Sequence, residues 1–369
     1  MALTKIRLGD FIVRSTINNR DLKYGSELIE GVTNEGVFSA PKGDPTDVDL
    51  KPYKIVQDGA FVYNPSRLDL GSIAYRTNGL CIVSHLYIVF YLNDRGKKII
   101  DPMYLYMYFR RKEFCREVTF RNFGSQRPEF NFNDMSDIEI PLPDITIQQK
   151  YVAIYNAMIN NQLNYESGLE DLRLVCTGYI EDLRRRVPSC KIGPYISELN
   201  ERNQDLSIIN VQGVNSGSVF GETKADTVGL DFKNYKIVRE GQFAYNPSRI
   251  NLGSIALLRG KDCIVSPMYI VFEVKNKDIL LPEYLMMWFG RSEFQRSTLF
   301  YASGSVRDTF SFDVMQDVRI PIPDISVQQY IANIFIVYQL RKEINEQLKT
   351  QIRDMCPILV KGAINEASA

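Results

Sequence analysis

The sequence predicts a mixed α/β (α+β) fold in which two similar globular domains are separated by a pair of long antiparallel, coiled-coil-like helices. Three observations support this prediction: the chain contains a pseudo-twofold internal repeat, each copy opens with short strands, and each copy closes with a long helix of heptad character. A length of 369 residues suits two or more domains, because single domains usually hold about 100–200 residues.

The internal repeat consists of segments that recur at a nearly constant offset. The recurring segments are Tyr-Asn-Pro-Ser-Arg at 63–67 and 245–249, Leu-Gly-Ser-Ile-Ala at 70–74 and 252–256, and Pro-Leu-Pro-Asp at 141–144 against Pro-Ile-Pro-Asp at 321–324. The offset is 182 for the first two and 180 for the third, which indicates one two-residue length change, between Tyr91 and Pro102. Solenoid repeats are typically about 20–50 residues long, so each copy is expected to be a whole domain.

The first part of each copy has the pattern of short strands followed by a helix. Runs rich in β-branched and aromatic residues predict strands at Gly59–Tyr63, Ser72–Tyr75, Cys81–Ser84 and Tyr87–Tyr91. Turn signals follow at Asn64-Pro65 and Asn78-Gly79. A helix is predicted from an N-cap at Asp101 through Cys115, and its counterpart in the second copy opens at Pro282.

After a last strand at Ile138–Pro141, the apolar spacing changes to alternating threes and fours. The positions of this first stripe are Tyr151, Tyr155, Met158, Gln162, Tyr165, Leu169, Leu172, Cys176, Tyr179 and Leu183. A less regular second stripe consists of Ile331, Phe335, Tyr338, Ile344, Leu348, Ile352, Met355 and Leu359. Pro188 is expected to stop the first helix and Pro357 to bend or end the second. One such stripe also fits a core-facing surface helix, but a stripe after each globular region favours an antiparallel pair.

These patterns place the domain boundaries and define the broad class of the protein. The predicted segments are a first globular domain at 1–145, a central helix at 146–187, a second globular domain at 188–325 and a C-terminal helix at 326–369. The net charge is zero, so a nucleic-acid partner would be bound by local patches. The six cysteines form no Cys-x-x-Cys pair, which favours free thiols in a reducing cytosol. Apolar runs such as Leu86–Leu92 are far shorter than the roughly 20 residues that span a bilayer.

The residues that common catalytic chemistries need are missing from the sequence. The only histidine, His85, is replaced by Pro267 in the second copy, and no zinc-ligand spacing, phosphate-binding P-loop or strand-linked Gly-x-Gly-x-x-Gly is present. Asn64-Pro65 and Asn246-Pro247 are similar to the Asn-Pro-Pro-aromatic loop of amino-methyltransferases, but Ser and Arg follow them. We therefore expect no catalytic residue and no metal or cofactor site.

The two junctions into the long helices carry a family resemblance. The motif Ile-Pro-[Leu/Ile]-Pro-Asp-Ile-x-x-Gln-Gln lies at Ile140–Gln149 and again at Ile320–Gln329. Together with the duplication, the long helices and the Asn-Pro-Ser-Arg signature, it resembles the specificity (S) subunit of a type I restriction–modification system over essentially the whole chain. The resemblance implies two target recognition domains, each reading one half of a bipartite double-stranded DNA target.

The same resemblance implies the remaining partners. The helices would set the gap between the half-sites and dock two methyltransferase (M) subunits, through which restriction (R) subunits could bind. S-adenosylmethionine, ATP and Mg²⁺ would be held by those partners, which would methylate adenine N6. The chain itself would be non-catalytic, without cofactors, and located in a prokaryotic cytoplasm. Two alternatives stay open: a stand-alone DNA adenine methyltransferase, and a protein-interaction scaffold that does not bind DNA.

The repeat separates two classes of candidate DNA-binding residues. Residues shared by both copies are expected to serve the fold or bind phosphate, because phosphate contacts position a protein and base contacts specify the sequence. The candidates in the Asn-Pro-Ser-Arg turns and the two Gly-Ser-x-Arg loops are Asn64, Ser66, Arg67, Ser125, Gln126, Arg127, Asn246, Ser248, Arg249, Ser305 and Arg307. Either motif could instead do no more than close a turn.

Divergent polar loops are the candidates for reading bases. They are Arg14–Lys23 against Leu199–Gln204, Thr33–Lys51 against Asn215–Lys233, and Arg76–Asn78 against Leu258–Lys261. Gln126 against Val306 is a further change inside a candidate loop. Arg184–Arg186 could clamp phosphate, or could be cations favoured by a helix C-terminus.

Overall fold

The computed structural model describes residues 3–41, 43, 45, 48–122, 129–223, 229–302 and 309–369, with the side chains of 300–302 excepted. The chain divides into two compact units. Unit 1 consists of Met1–Asn164 together with Asn345–Ala369, and unit 2 consists of Tyr165–Ile344. Among the described helices, none is long and apolar enough to cross a membrane.

The first half of the chain supplies ten strands and five helices to the described structure. The strands are β1 (Thr4–Arg7), β2 (Ile12–Ser15), β3 (Gly31–Val32), β4 (Phe38–Ser39), β5 (Lys54–Val56), β6 (Phe61–Tyr63), β7 (Ile73–Tyr75), β8 (Cys81–Val83), β9 (Ile88–Leu92) and β10 (Glu139–Leu142). The helices are α1 (Gly96–Ile99), α2 (Pro102–Phe109), α3 (Lys112–Arg121), α4 (Phe132–Ser136) and α5 (Ile145–Arg186). The predicted strands and the predicted end of the first long helix before Pro188 are confirmed.

The second half repeats this order within its described residues. Its strands are β11 (Ser189–Lys191), β12 (Ile196–Leu199), β13 (Gln212–Val214), β14 (Phe220–Glu222), β15 (Lys236–Val238), β16 (Phe243–Tyr245), β17 (Ile255–Leu257), β18 (Cys263–Val265), β19 (Ile270–Val274) and β20 (Arg319–Pro321). Its helices are α6 (Pro282–Phe289), α7 (Ser292–Ala302), α8 (Phe312–Gln316) and α9 (Ile325–Ser368).

Each unit is organised around a four-stranded antiparallel sheet with the same strand order. The order is β2-β9-β6-β7 in unit 1 and β12-β19-β16-β17 in unit 2. Side chains alternate between the faces of a strand, so Phe61 and Tyr63 enter one apolar cluster and Val62 enters another. The smaller two-stranded sheets also correspond between units, with β1-β10 matching β11-β20, β3-β4 matching β13-β14, and β5-β8 matching β15-β18.

The register of the paired strands reveals a second length change between the repeats. Ile6 pairs with Ile140 as Cys190 pairs with Ile320, so the offset is 184 at the start of each copy. After Ser26–Leu28, a 3₁₀ turn of unit 1, the offset between equivalent residues of the two copies is 182. The prediction of a single length change was therefore incomplete, because identical motifs reveal an insertion only where they flank it.

The predicted N-cap at Asp101 is confirmed, but the predicted helix is divided into α2 and α3. The Asp101 carboxylate accepts from the backbone N–H groups of Met103 and Tyr104 at 2.9 and 3.2 Å. The chain is extended between the two helices, which allows Phe114 of α3 to pack on Phe109 of α2 with ring centroids 4.9 Å apart. Aromatic pairs of this kind contribute free energy beyond that of the area they bury. This contribution outweighs the stability that a continuous helix would give.

Two long helices pair antiparallel within unit 1. The buried amide of Gln162 on α5 donates to Asn345 on α9 at 2.9 Å, and Lys150 lies 2.8 Å from Glu366 near the other end. Helix α9 does not end at Pro357. Proline in a helix interior costs about 3 kcal/mol, and the apolar residues buried on both sides of it offset that cost: Ile352, Cys356, Leu359, Val360 and Ala363.

The same helices pair antiparallel in unit 2, through their other halves. The Tyr179 and Tyr330 rings lie 6.4 Å apart, and the Arg341 guanidinium lies 5.9 Å from the Tyr165 ring centroid. Cys176 and Leu183 of the predicted stripe are buried, and so is Ile180, which the stripe omits.

Candidate nucleic-acid interface

The Asn-Pro-Ser-Arg turn follows the central strand β6 of the unit 1 sheet. The Asn64 side-chain oxygen accepts from the backbone N–H of Ser66 at 3.0 Å, and the Asn64 carbonyl accepts from the N–H of Arg67 at 3.1 Å. Asn64 therefore closes the turn, in the manner of an Asx turn. Ser66 and Arg67 are exposed, and the Arg67 guanidinium makes no hydrogen bond or ion pair with a described residue.

Unit 2 builds the same turn after β16. The Asn246 side-chain oxygen accepts from the Ser248 N–H at 3.0 Å, and the Asn246 carbonyl accepts from the Arg249 N–H at 3.0 Å. Ser248 and Arg249 are exposed in turn. Of the candidates in the two turns, the asparagines thus have a structural role, and the serines and arginines face solvent.

The Gly-Ser pair after each turn is also structural. Gly71 and Gly253 adopt left-handed backbone conformations, with φ of +89° and +84°. The buried hydroxyl of Ser72 donates to the Val32 carbonyl at 3.0 Å, as Ser254 does to the Val214 carbonyl at 2.8 Å. These bonds tie the turn to the neighbouring hairpin, so identity between the copies reflects the fold here.

Several segments meet at one end of each sheet, around the turn. Tyr63 pairs with Ile88 on one side and with Ile73 on the other, so the loop before β9 and the residues before β7 flank the turn. Ser15, the last residue of β2, pairs with Val89 at the same end. The divergent segment that starts at Arg14 therefore begins next to the turn.

The two Gly-Ser-x-Arg loops fall on residues 123–128 and 303–308, outside the described residues. Their candidates are Ser125, Gln126, Arg127, Ser305 and Arg307, which remain predictions. In the described chain that follows, the N–H of Phe130 donates to the Pro65 carbonyl at 3.0 Å, and Phe310 donates to the Pro247 carbonyl at the same distance. Phe130 and Phe310, which precede α4 and α8, are therefore attached to the turns of their units.

Exposed apolar side chains flank the turn in both units. The exposed fractions are 58% for Leu70 and 59% for Leu252, and 65% for Leu86 and 61% for Met268. The Met268 sulfur lies 4.0 Å from the Asn246 amide nitrogen. A recurring apolar pair beside an exposed arginine is typical of a contact surface, because solvent-facing turns are usually polar.

One divergent segment lies at the opposite end of the sheet. Arg76 follows β7 and donates its N–H to the Ala60 carbonyl, next to the start of β6. Its guanidinium, whose side chain is only 12% exposed, pairs with Glu30 at 2.5 Å and stacks over the Phe38 ring. The prediction that this segment reads bases is wrong for Arg76, because its charge is already paired within the unit; the equivalent residue, Leu258, is buried.

The arginines at the end of α5 form helix-surface ion pairs. Arg184 lies 3.3 Å from Glu181, and Arg186 lies 2.8 Å from Asp182. Pairs three or four residues apart on a helix stabilise it slightly. This geometry favours the helix-terminus interpretation of Arg184–Arg186 over a phosphate clamp.

The junction motif clamps each long helix to its own unit. Gln148 is fully buried, and its amide nitrogen donates to the carbonyls of Ile99 and Pro143 at 2.8 Å each, while its oxygen accepts from the Asp101 N–H at 2.8 Å. In unit 2, Gln328 makes the same bonds, to Ile279, Pro323 and Leu281. The first glutamine of the motif therefore fixes the start of the helix against the loop before α2 or α6.

The described residues form no cluster of three or more histidine, cysteine, aspartate or glutamate side chains suited to a metal ion. The six cysteines are free, and burial raises the pKa of Cys81 and Cys263 to about 12, so both stay protonated at neutral pH.

Comparison with known families gives two matches along this chain. The family model described as "Type I restriction modification DNA specificity domain" matches residues 14–171 and again residues 190–354. Both Asn-Pro-Ser-Arg turns and both junction glutamines lie within the matched segments. No curated protein matches the chain.

Solved structures of chains from type I restriction–modification systems align with this chain over nearly its whole length. The S subunit of a type I restriction–modification system from M. genitalium has a TM-score of 0.63 at 11% identity, covering 98% of this chain and 96% of that one. The HsdS subunit from Thermoanaerobacter tengcongensis, at 14% identity and the same coverage, has a TM-score of 0.39. A chain from a study of complex assembly and conformational transition of the type I R-M system has a TM-score of 0.45 at 14% identity, covering 100% and 97%. The first of these similarities supports the fold.

Proposed function

The chain belongs to the family of type I restriction–modification DNA specificity domains and is a sequence-specificity subunit, and we propose that each unit reads one half of a bipartite DNA target. The observation that carries this proposal is the duplicated surface at one sheet end, where an exposed Ser-Arg turn and exposed apolar residues recur in both units. The family match does not favour a stand-alone methyltransferase or a scaffold that does not bind DNA.

The shared arginines suit phosphate contact. Arg67 and Arg249 are identical in both units, exposed, and unpaired with described residues, so they could bind backbone phosphates without distinguishing the half-sites. Each phosphate neutralised contributes about 0.9 to the slope of log affinity against log salt. Replacing one arginine with alanine should therefore weaken DNA binding by the complex and lower that slope by about one, whatever the base sequence.

The long helices would link recognition of the DNA target to its methylation. We propose that α5 and α9 set the gap between the half-sites and dock two M subunits, and that Gln148 and Gln328 hold each helix at a fixed angle to its own recognition surface. The chain would carry no cofactor. S-adenosylmethionine, ATP and Mg²⁺ would be held by the M and R subunits, which would methylate adenine N6 and cleave unmodified DNA in the cytoplasm of a prokaryote.

Genome-wide mapping of methylated adenine tests this function. The chain is expressed with its M subunits in a host that lacks adenine methylation, and the expected result is a motif of two short specified blocks with an unspecified gap. M subunits expressed without the chain should give no such motif. A single continuous motif, or methylation by the purified chain alone with S-adenosylmethionine, would contradict the proposal.

A further inference from the structure

Two residues of opposite charge occupy equivalent places in the sheets that carry the Asn-Pro-Ser-Arg turns. In unit 1, Arg14 on β2 lies opposite Phe90 on β9. In unit 2, Glu198 on β12 lies opposite Phe272 on β19. Both phenylalanines stack on the central strand in the same way, Phe90 on Phe61 with centroids 5.1 Å apart and Phe272 on Phe243 at 4.7 Å.

Each of the two charged side chains is exposed. Arg14 and Glu198 are the penultimate residues of β2 and β12, and they pair with Phe90 and Phe272, two residues along the strand from Ile88 and Ile270, which pair with the tyrosines that precede the turns. Neither Arg14 nor Glu198 forms a hydrogen bond or an ion pair within the described part of the chain. Their charges are therefore available to a ligand.

The two charges share the same types of aromatic and lysine neighbour. Burial raises the pKa of Tyr63, and the Arg14 guanidinium opposes that rise; burial also raises the pKa of Tyr245, and the Glu198 carboxylate adds to it. A lysine on the next sheet accompanies each position, with its pKa lowered by burial: Lys54 near Arg14, and Lys236 near Glu198. The aromatic and lysine neighbours are thus kept, whereas Arg202 of unit 2 takes the place of Asn18 beside the lysine.

Building on the proposed function, we propose that Arg14 reads a guanine in the half-site bound by unit 1 and that Glu198 reads a cytosine in the half-site bound by unit 2. A guanidinium donates two hydrogen bonds to O6 and N7 of guanine in the major groove, and a carboxylate accepts from the N4 amino group of cytosine. Each residue would specify one base pair of its half-site.

A phosphate contact fits only one of the two residues. A carboxylate next to a backbone phosphate would be repelled, so Glu198 would bind only groups of the duplex that can donate hydrogen bonds. On the duplex those groups are base amino groups in the grooves. Since Arg14 occupies the equivalent place on the equivalent sheet of unit 1, the same base-edge contact is proposed for its guanidinium.

The test exchanges the two charges in the complete methyltransferase complex. Variants Arg14→Glu, Arg14→Gln, Glu198→Arg and Glu198→Gln are each expressed with the M subunits, and the methylated motif is mapped and then measured on oligonucleotides with each base at the affected position. Lys98→Glu and Asp278→Asn serve as matched controls, because both residues are exposed and lie away from the turns. The controls should leave both half-sites unchanged.

The expected result is a change at one base pair in one half-site. Arg14→Gln should reduce the preference for guanine there by roughly 5- to 150-fold, the range for one bidentate base contact, and Glu198→Gln should relax the cytosine in the other half-site. Should Arg14→Glu abolish methylation, Arg14→Gln decides the question.

Two outcomes would overturn this assignment. One is that the four variants retain every specified base of the wild-type motif. The other is that they lower methylation equally at all sequences, as loss of a phosphate contact would do. Failure of the proposed function itself is distinguished by the wild-type complex, which would then give no bipartite motif at all.

Discussion

The two units hold the same turn geometry with different side chains. In unit 1, the Arg110 guanidinium donates to the carbonyl of Gly71, the left-handed glycine after the turn. In unit 2, the position equivalent to Arg110 is Gly290, and the hydroxyl of Ser218 donates to the Gly253 carbonyl at 3.0 Å. A buried carbonyl needs a hydrogen-bond donor. Both units supply one to this glycine carbonyl, but from different residues.

A matching change in size accompanies this exchange. Ser218 corresponds to Gly36 in unit 1, and a Cβ at Gly36 would lie 2.8 Å from the Arg110 guanidinium carbon. Small and large residues have therefore exchanged places between the units. The half-buried Arg76–Glu30 ion pair is also replaced as a pair, by two uncharged residues, Leu258 and Gln212, in unit 2.

The charge reversal between Arg14 and Glu198 is accompanied by one further difference between the units. The neighbours Phe90 and Phe272, Tyr63 and Tyr245, and Lys54 and Lys236 are identical in type. Arg202, however, takes the place of Asn18 next to the lysine of unit 2. Arg14 and Glu198 are exposed and form no ion pair within the described residues, so their charges, unlike that of Arg76, are available to a ligand.

Removal of either stacked phenylalanine should have the largest effect. Phe90→Ala and Phe272→Ala each delete a fully buried ring at the centre of a four-stranded sheet, and such changes cost about 3–5 kcal/mol. Hydrogen exchange measured by mass spectrometry should show lost protection in the unit that carries the substitution. Equal losses in both units after one substitution would contradict the description of two separate cores.

The junction glutamines should be the next most sensitive positions. Gln148→Ala or Gln328→Ala leaves two carbonyls and one N–H, in partly or fully buried surroundings, without their partner. An unsatisfied buried group costs about 1–3 kcal/mol, so we expect a loss of about 3 kcal/mol or more in chemical denaturation. Tolerance for targets with a gap one base pair longer or shorter should also increase.

The neighbouring glutamines provide the control. Gln149 and Gln329 belong to the same motif but are exposed, so Gln149→Ala and Gln329→Ala should change stability by less than about 0.5 kcal/mol. If Gln149→Ala were as harmful as Gln148→Ala, the clamp would not depend on the bonds described.

The exchange between Arg110 and Gly36 should appear as energetic coupling. Gly36→Ser alone should destabilise unit 1, because the new side chain meets the Arg110 guanidinium. In an Arg110→Gly background it should be tolerated better, because its hydroxyl could then reach the Gly71 carbonyl as Ser218 reaches Gly253. A double-mutant cycle should give a coupling of about 1 kcal/mol; additive effects would refute the exchange.

The smallest expected effect is a pH dependence of stability where α5 and α9 pair near Glu366. In unit 1, hydrogen bonds from Lys150 and Tyr151 lower the pKa of Glu366 from 4.5, whereas the equivalents of Lys150 and Glu366 in unit 2 are Tyr330 and Arg186. A carboxyl with a lowered pKa stabilises the fold above its ordinary pKa, and this contribution is lost as pH falls through the lowered value. Hydrogen exchange below pH 4.5 should therefore increase near Glu366, and Glu366→Gln should remove that pH dependence.

Much of this architecture follows from local rules that the sequence displays. Alternating strands, the Asp101 cap and the polar member Gln162 of the first stripe were all predicted, because each depends on residues close in sequence. The partner of Gln162 was missed, since Asn345 replaces an expected apolar position and the bond joins two distant segments.

The candidate site was predictable only in part, for the same reason. The shared turn was found because both copies repeat it, and the sequence pattern also placed Arg14 in a divergent segment. Glu198 was missed, because the offset of 184 that aligns it with Arg14 is visible only in the strand register. The role of Gln148 was also invisible, because its three partners come from segments far apart in sequence and a repeated letter does not reveal them.

Exchange of one recognition domain is the most direct test of the central claim. Residues 1–145 are replaced by the corresponding domain of another family member with a different motif, the chimera is expressed with the M subunits, and methylated adenines are mapped. We predict that one half of the motif changes, while the other half and the gap remain as in the wild type. A change in both halves, or an unchanged motif, would contradict the conclusion that each unit reads its own half of the target.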